Sequence, residues 1–75
     1  MKLRDFLNNF NDAGKTIIDL YFSGITFKIS VGYNHIEVDT KEWKELMDAF
    51  GDKEIEYWYV YVDNMKCPRI TVKCR

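Results

Sequence analysis

The sequence predicts an α+β fold, a two-layer open sandwich with an antiparallel sheet of about five strands and two helices on one face. The expected order of elements is α-β-β-β-α-β-β. Two segments of the 75-residue chain place apolar residues at i, i+3, i+4 and i+7, as amphipathic helices do, and the other segments alternate apolar with polar residues, as strands do. No linker, internal repeat or low-complexity tract is visible, so we expect residues 1–75 to form a single domain.

The first helix is predicted near the start of the chain, from a stripe formed by Leu3, Phe6, Leu7 and Phe10. Gly14 is the expected stop signal after it. The second helix carries the same spacing in Trp43, Leu46, Met47 and Phe50. We expect Asp39 or Thr40 to cap its start, since Asp39 and Glu42 have the spacing of a capping box, and Gly51 to end it.

Between the helices, a hairpin is predicted over residues 16–31, with Ser23–Gly24 as a two-residue turn. The expected register pairs Phe22 with Ile25, Leu20 with Phe27, and Ile18 with Ile29. Asp19, Tyr21, Thr26, Lys28 and Ser30 would then lie on the opposite face of the sheet. After a turn at residues 32–34, the alternation in His35–Val38 predicts a short third strand.

The stretch Glu54–Val62 reads as a strand that is apolar on both faces. One side carries Tyr57, Tyr59 and Tyr61, and the other carries Trp58, Val60 and Val62. A loop ending near Pro68 leads to a last strand, expected to pair Val62 with Ile70, Val60 with Val72 and Trp58 with Cys74, and to place the tyrosines beside Lys73, Thr71 and Arg69. A sheet covered on one face needs only one apolar set, so the second set either packs under another element or meets a partner.

Composition excludes several classes of function. The formal net charge of −1 argues against a strongly basic nucleic-acid binder and against a highly acidic DNA mimic. The start of the chain lacks the apolar stretch of a signal peptide, and no apolar run reaches membrane-spanning length. We therefore expect a cytoplasmic protein that does not bind membranes and keeps Cys67 and Cys74 reduced, without a disulfide between them.

No residue pattern predicts an enzyme, a metal site or a cofactor. The single histidine, His35, could form a dyad with Cys67 or Cys74 in principle, but neither a strand-to-helix elbow nor a glycine-rich oxyanion turn accompanies it. Structural zinc needs close ligand pairs, which one histidine and two distant cysteines do not supply. Three carboxylates flank the Tyr strand, Glu54, Glu56 and Asp63. We expect them to be solvent-exposed charges and not catalytic acids.

The candidate partner-binding residues are Tyr57, Tyr59, Tyr61, Arg69, Lys73, Tyr21 and Lys28. Tyr and Arg are enriched at the hot spots of protein interfaces, which favours a protein partner or self-association. Aromatic rows beside basic side chains also stack single-stranded bases, although the net charge offers little long-range attraction to nucleic acid. The remaining alternative is an exposed face that is stabilised only by cross-strand pairs and has no partner.

Three segments resemble short accessory proteins encoded by phages and other mobile elements of Gram-positive bacteria. They are the opening helix Leu3–Phe10 leading into a hairpin, the Lys53–Glu56 step into a strand, and the closing strand Ile70–Cys74. That group includes anti-CRISPR proteins and other inhibitors of bacterial immunity. The resemblance implies a protein that occupies a surface of a larger host enzyme and performs no chemistry.

The expected function is therefore a non-enzymatic protein-binding module, an inhibitor of a host defence nuclease that acts by steric blockade. The partner would be a larger host protein, with a nucleoprotein nuclease as one candidate. Two alternatives remain open. One is a self-associating structural domain in which the Tyr faces of a homodimer bury each other, and the other is a small single-stranded nucleic-acid-binding protein.

Overall fold

Two amphipathic helices and four strands form the parts of the chain described by the computed structural model, residues 1–9, 16–32 and 35–75. In chain order the elements are α1 (Leu3–Asn8), β1 (Ile17–Phe22), β2 (Ile29–Gly32), α2 (Lys41–Phe50), β3 (Ile55–Val62) and β4 (Pro68–Cys74). The α+β class is confirmed. The predicted ends of the first helix, Phe10 and Gly14, and the predicted turn at residues 33–34 lie outside the described residues.

The four strands form one mixed sheet in the order β2-β1-β4-β3. β1 pairs antiparallel with β2, β4 pairs antiparallel with β3, and the two central strands β1 and β4 run parallel. The prediction of about five strands, all antiparallel, is therefore wrong. A parallel neighbour requires a long crossover, and here the whole segment from β2 through α2 to β3 supplies it.

Both hairpin registers differ from the predicted apolar pairs by two residues. Leu20 pairs with Ile29 instead of Phe27, and Val60 pairs with Ile70 instead of Val72. A slip of two residues keeps each side chain on its predicted face, so alternation alone cannot detect it. One consequence is that residues 23–28 form a longer loop than predicted, in which Phe27 is 65% exposed instead of lying in the core.

The predicted third strand at His35–Val38 is not formed. Only Ile36 makes an isolated bridge, parallel to Val31 at the outer edge of β2. The chain then turns through Asp39, whose φ of 67° is left-handed, into α2. Thr40 is the N-cap, because its Oγ1 accepts a hydrogen bond from the Trp43 amide at 3.2 Å, and the Asp39 alternative is wrong.

Both helices pack on the same face of the sheet, which we call the helix face. The ring of Phe6 in α1 lies 5.3 Å from that of Trp58, and Phe50 in α2 stacks on Phe22 with ring centroids 4.4 Å apart. The buried core of the described chain comprises Leu3, Phe6, Leu7, Ile18, Leu20, Phe22, Val31, Leu46, Ile70, Val72 and Cys74. The opposite face, on which neither α1 nor α2 packs, is called the open face.

The N-terminal segment fixes the start of β3. The amide of Leu3 donates to the carbonyl of Lys53 at 2.9 Å, and the amide of Ile55 donates to the carbonyl of Met1 at 2.9 Å. The Arg4 side chain adds a hydrogen bond from Nε to Asp52 at 3.0 Å. Met1 and Leu3 therefore occupy the outer edge of the sheet at residues 53–55, ahead of the exposed part of β3. None of the helices in the described ranges is long and apolar enough to cross a bilayer.

Candidate protein-binding surface

β3 is an edge strand, and its last six residues expose large apolar or aromatic side chains on both faces of the sheet. The exposed set runs without interruption through Tyr57, Trp58, Tyr59, Val60, Tyr61 and Val62, with exposed fractions between 38% and 65%. Scattered apolar residues are normal on a protein surface, whereas a contiguous patch is typical of an interaction site. The doubly apolar strand identified from the sequence is thus fully covered on neither face by described residues.

On the open face, the tyrosines lie where alternation predicts. Tyr57 pairs with Lys73, Tyr59 with Thr71 and Tyr61 with Arg69. The rings of Tyr59 and Tyr61 are tilted toward each other, with centroids 6.1 Å apart. Tyr21 of β1 lies on the same face, beside Lys73 in the parallel pair of strands. The structure therefore brings all four predicted tyrosines and Lys73 onto one surface.

Arg69 is engaged within the protein and is not a free cation. Its Nε donates to Asp19 Oδ2 at 3.0 Å, and a second guanidinium nitrogen donates to Asp19 Oδ1 at 2.9 Å. The third guanidinium nitrogen lies 3.6 Å from a carboxylate oxygen of Asp63. This two-point pairing joins the neighbouring strands β1 and β4 and fixes the guanidinium beside Asp19. Arg69 is therefore a structural residue more than a docking residue.

Asp19 is the important polar residue of the open face that sequence reasoning did not single out. Its side chain is only 1% exposed, and it also accepts a hydrogen bond from Ser30 Oγ at 2.7 Å. Lys28 approaches the same carboxylate at 3.8 Å. Burial acts to raise the pKa of Asp19, but the hydrogen bonds from Arg69 and Ser30 with the two positive charges outweigh it and lower that pKa. The available signal was one acid inside the apolar run Ile17–Leu20.

These contacts change the charge available on the predicted surface. Arg69 and Lys28 both face Asp19, so of the three basic residues in the predicted site only Lys73 makes no ion pair with the described residues. A single unpaired lysine gives little attraction to phosphates, which argues against the nucleic-acid alternative. What the open face offers a partner is mainly tyrosine.

On the helix face, the row formed by Trp58, Val60 and Val62 is only partly covered. Trp58 contacts Phe6 of α1, yet half of its surface stays exposed. Val60 and Val62 lie further along β3 and are 57% and 65% exposed. Within the described ranges, the helices therefore cover β1 and β4 but leave the far end of β3 uncovered.

The backbone of β3 also presents groups that no described residue pairs, along what we call the β3 edge, the outer side of residues 57–62. The Asp63 amide donates to the Cys67 carbonyl at 3.1 Å, which makes 63 and 67 a bonded pair. Bonded and non-bonded pairs alternate along an antiparallel ladder, so Val62, Val60 and Trp58 direct their N–H and C=O groups away from β4. No proline, charged residue or bulge interrupts residues 57–62; the irregularity of β3 lies before Tyr57.

The described residues do not assemble a catalytic or metal site. Cys74 is buried under the helices, and burial raises the pKa of its thiol, which disfavours the reactive thiolate. His35 is exposed after β2, while Cys67 lies in the loop between β3 and β4 at the other edge of the sheet. Over the described ranges, no group of three or more His, Cys, Asp or Glu residues is arranged to hold a metal ion.

No protein-family model, curated protein or solved structure matches this chain.

Proposed function

We propose that the chain is a non-enzymatic protein-binding module that uses β3 as its interaction element. The observation that carries the proposal is the run of six consecutive exposed apolar and aromatic residues at a sheet edge. Tyrosine combines a large contact area with few rotatable bonds and a polar tip, which suits a surface that is wet when free and buried when bound. The contact surface of the open face is Tyr57, Tyr59, Tyr61 and Tyr21, with Lys73 between Tyr57 and Tyr21.

We propose in addition that the partner is a larger protein whose functional surface is blocked on binding. This part follows from the resemblance to short phage-encoded inhibitors and gives the mode of action as steric blockade of a host defence nuclease. A chain of 75 residues can cover only one patch of a large enzyme, so the patch must lie on the enzyme's nucleic-acid or activation surface. The support for this finer proposal is the Tyr surface, together with the lack of an assembled catalytic constellation among the described residues.

The experiment is a pull-down with the tagged protein from a bacterial lysate, compared with the double variant Tyr59→Ser/Tyr61→Ser. Both tyrosines are substantially exposed, so the variant should keep its fold while losing the centre of the contact surface. We expect bound partner to fall at least about tenfold, in line with the loss of two interface hot spots. Circular dichroism and a urea titration verify that the variant is folded.

The matched control is Phe27→Ser, which removes an even more exposed aromatic side chain from the β1–β2 loop, at the other side of the sheet from β3. Partner recovery should match that of the wild type. Undiminished binding by the folded tyrosine double variant would contradict the assignment of the open face. Equal losses in the tyrosine and Phe27 variants would indicate non-specific adhesion of exposed aromatic residues.

A further inference from the structure

We propose that the β3 edge pairs with the β3 edge of a second copy of this chain, antiparallel and centred on Val60. The pairing joins the two sheets into one sheet of eight strands, four from each copy. The inference deepens the proposed function, because it names a partner for the edge of the same strand. It differs from burial of one Tyr face against another, since the contact is made edge to edge.

The open part of the edge has two well-defined ends. At its start, Met1 and Leu3 already bond to the backbone of residues 53–55. At its end, β3 stops at Val62 and the chain turns back into β4. A partner strand therefore has the window of residues 57–62 available, in which Trp58, Val60 and Val62 direct their backbone groups outward.

This window selects one register. With Val60 opposite Val60 of the second copy, Trp58 lies opposite Val62 and Val62 opposite Trp58. Every outward backbone group in the window is then bonded, in three pairs that each exchange two hydrogen bonds. A shift in one direction drives the end of the second strand toward Met1, and a shift in the other leaves Trp58 opposite the loop after β3.

The side chains match in the same register. On the helix face, the partly covered row of each copy continues into that of the other, and Val60 meets its own symmetry mate. On the open face, Tyr59 lies opposite Tyr61 of the second copy in a close, non-bonded pair, an arrangement that favours aromatic contact. The acidic residues that flank the window, Glu56 and Asp63, do not face each other, so no like charges meet.

The other edge of the sheet, formed by β2, is protected against pairing with a further strand, whereas the β3 edge is not. The outer side of β2 is short, contains Gly32 and is bridged by Ile36 of the same chain. Natural proteins protect exposed edge strands by such coverage, by charge, by proline or by bulges. In the described structure, residues 57–62 have no such coverage, charge, proline or bulge. Antiparallel pairing about a two-fold axis bonds the outward N–H and C=O groups of this segment to the same segment of a second copy.

A two-fold axis perpendicular to the sheet keeps both open faces on the same side. The Tyr rows of the two copies then join into one surface with three β3 tyrosines from each copy. The homodimer therefore enlarges the surface assigned to the larger partner and does not consume it.

The test introduces a positive or a negative charge at Val60 and measures dimer formation by sedimentation velocity, from low micromolar to near-millimolar protein. Val60 is 57% exposed and directs its backbone away from β4, so Val60→Lys and Val60→Glu should both fold. The wild type should dimerise as concentration rises. Each variant alone should dimerise at least about tenfold more weakly, since like charges meet at the axis, and an equimolar mixture should recover a heterodimer.

Three results would overturn the proposal: a wild type that stays monomeric throughout, a dimer whose affinity neither variant changes, or variants that weaken it without recovery on mixing. Failure here is separable from failure of the proposed function, because sedimentation measures self-association of the purified chain, whereas the pull-down measures capture of a different protein. A monomeric wild type that still captures a partner through its tyrosines would remove only the edge pairing. As a folding control, each charge variant should show the wild-type circular dichroism spectrum.

Discussion

At the scale of single residues, Asp19 explains how the open face is held together without a covering helix. A carboxylate that is 1% exposed is costly unless it is fully bonded, and here Arg69 and Ser30 bond it from the two neighbouring strands. The same contacts remove Arg69 from the set of residues available to a partner. A basic residue beside a tyrosine row is thus not by itself evidence of a binding site.

Replacing Asp19 by Asn should destabilise the protein by about 2–4 kcal/mol, because it removes the charge that pairs with the largely buried Arg69 guanidinium. The measurement is the free energy of unfolding from urea titrations. Lys28→Met is the matched control. Lys28 is half exposed and lies 3.8 Å from the same carboxylate, so its loss should cost less than about 1 kcal/mol. Similar small losses in both variants would contradict the structural role of the Asp19–Arg69 pair.

Stability should also fall in acid, because the pKa of Asp19 lies below its ordinary value near 3.8 in the folded protein. The unfolded chain takes up the proton first as pH decreases. The contribution of Asp19 is therefore complete above about pH 4 and is lost as pH falls through the lower folded pKa. Asp63 titrates in the same direction, since the amides of Cys67 and Met65 donate to its carboxylate. Urea titrations between neutral pH and pH 2 should show the stability gap between wild type and Asp19→Asn narrowing in acid; a constant gap would contradict this assignment.

At the scale of elements, β2 ends at Gly32, which pairs with Ile17 at the start of β1. Its φ of +100° is left-handed, and an added Cβ would overlap the carbonyl oxygen of Thr16. Gly24, in the loop before β2, also has a left-handed φ of +83°, but a Cβ there would meet no atom of the described residues. Substituting the two glycines therefore separates two costs: backbone strain arises at both positions, and steric overlap arises only at Gly32.

Gly32→Ala should therefore lower the free energy of unfolding by about 2–4 kcal/mol, from strain and overlap together. Gly24→Ala should cost about 1 kcal/mol from the left-handed conformation alone. Urea titrations of the two variants give the comparison directly. If Gly24→Ala were the more damaging of the two, the placement of Gly32 against Thr16 would be wrong.

At the scale of the whole molecule, local patterns predict the elements better than their arrangement. The apolar stripes predict α1 and α2. Alternation predicts β1, β3 and β4 and assigns the four candidate tyrosines, Tyr21, Tyr57, Tyr59 and Tyr61, to the correct face. Alternation has a period of two, so it is blind to the two-residue shifts found in both hairpins. It also carries no information about the parallel pairing of β1 with β4, which joins residues about fifty positions apart.

The candidate site likewise has features that local sequence patterns predict and features that depend on the arrangement of the strands. The sequence predicts that β3 carries more apolar residues than one core needs. It does not predict the exposure of Val60 and Val62, which belong to the set expected to pack under the helices and are 57% and 65% exposed. The pairing of Asp19 with Arg69 depends on the parallel neighbours β1 and β4, so no local pattern could indicate it. The sheet order likewise places β3 at an edge, which converts a doubly apolar strand into an element with an open backbone.

The most direct test of the claim that β3 is the interaction element is amide hydrogen exchange, resolved by residue with NMR, as a function of protein concentration. We predict that the amides of Tyr59 and Tyr61, which bond to β4, are protected at every concentration. The amides of Trp58, Val60 and Val62 should exchange quickly when dilute and become protected as the second copy binds. If the amides of Trp58, Val60 and Val62 exchanged rapidly at every concentration, or were already protected in the dilute monomer, the β3 edge would not be the open interface described above.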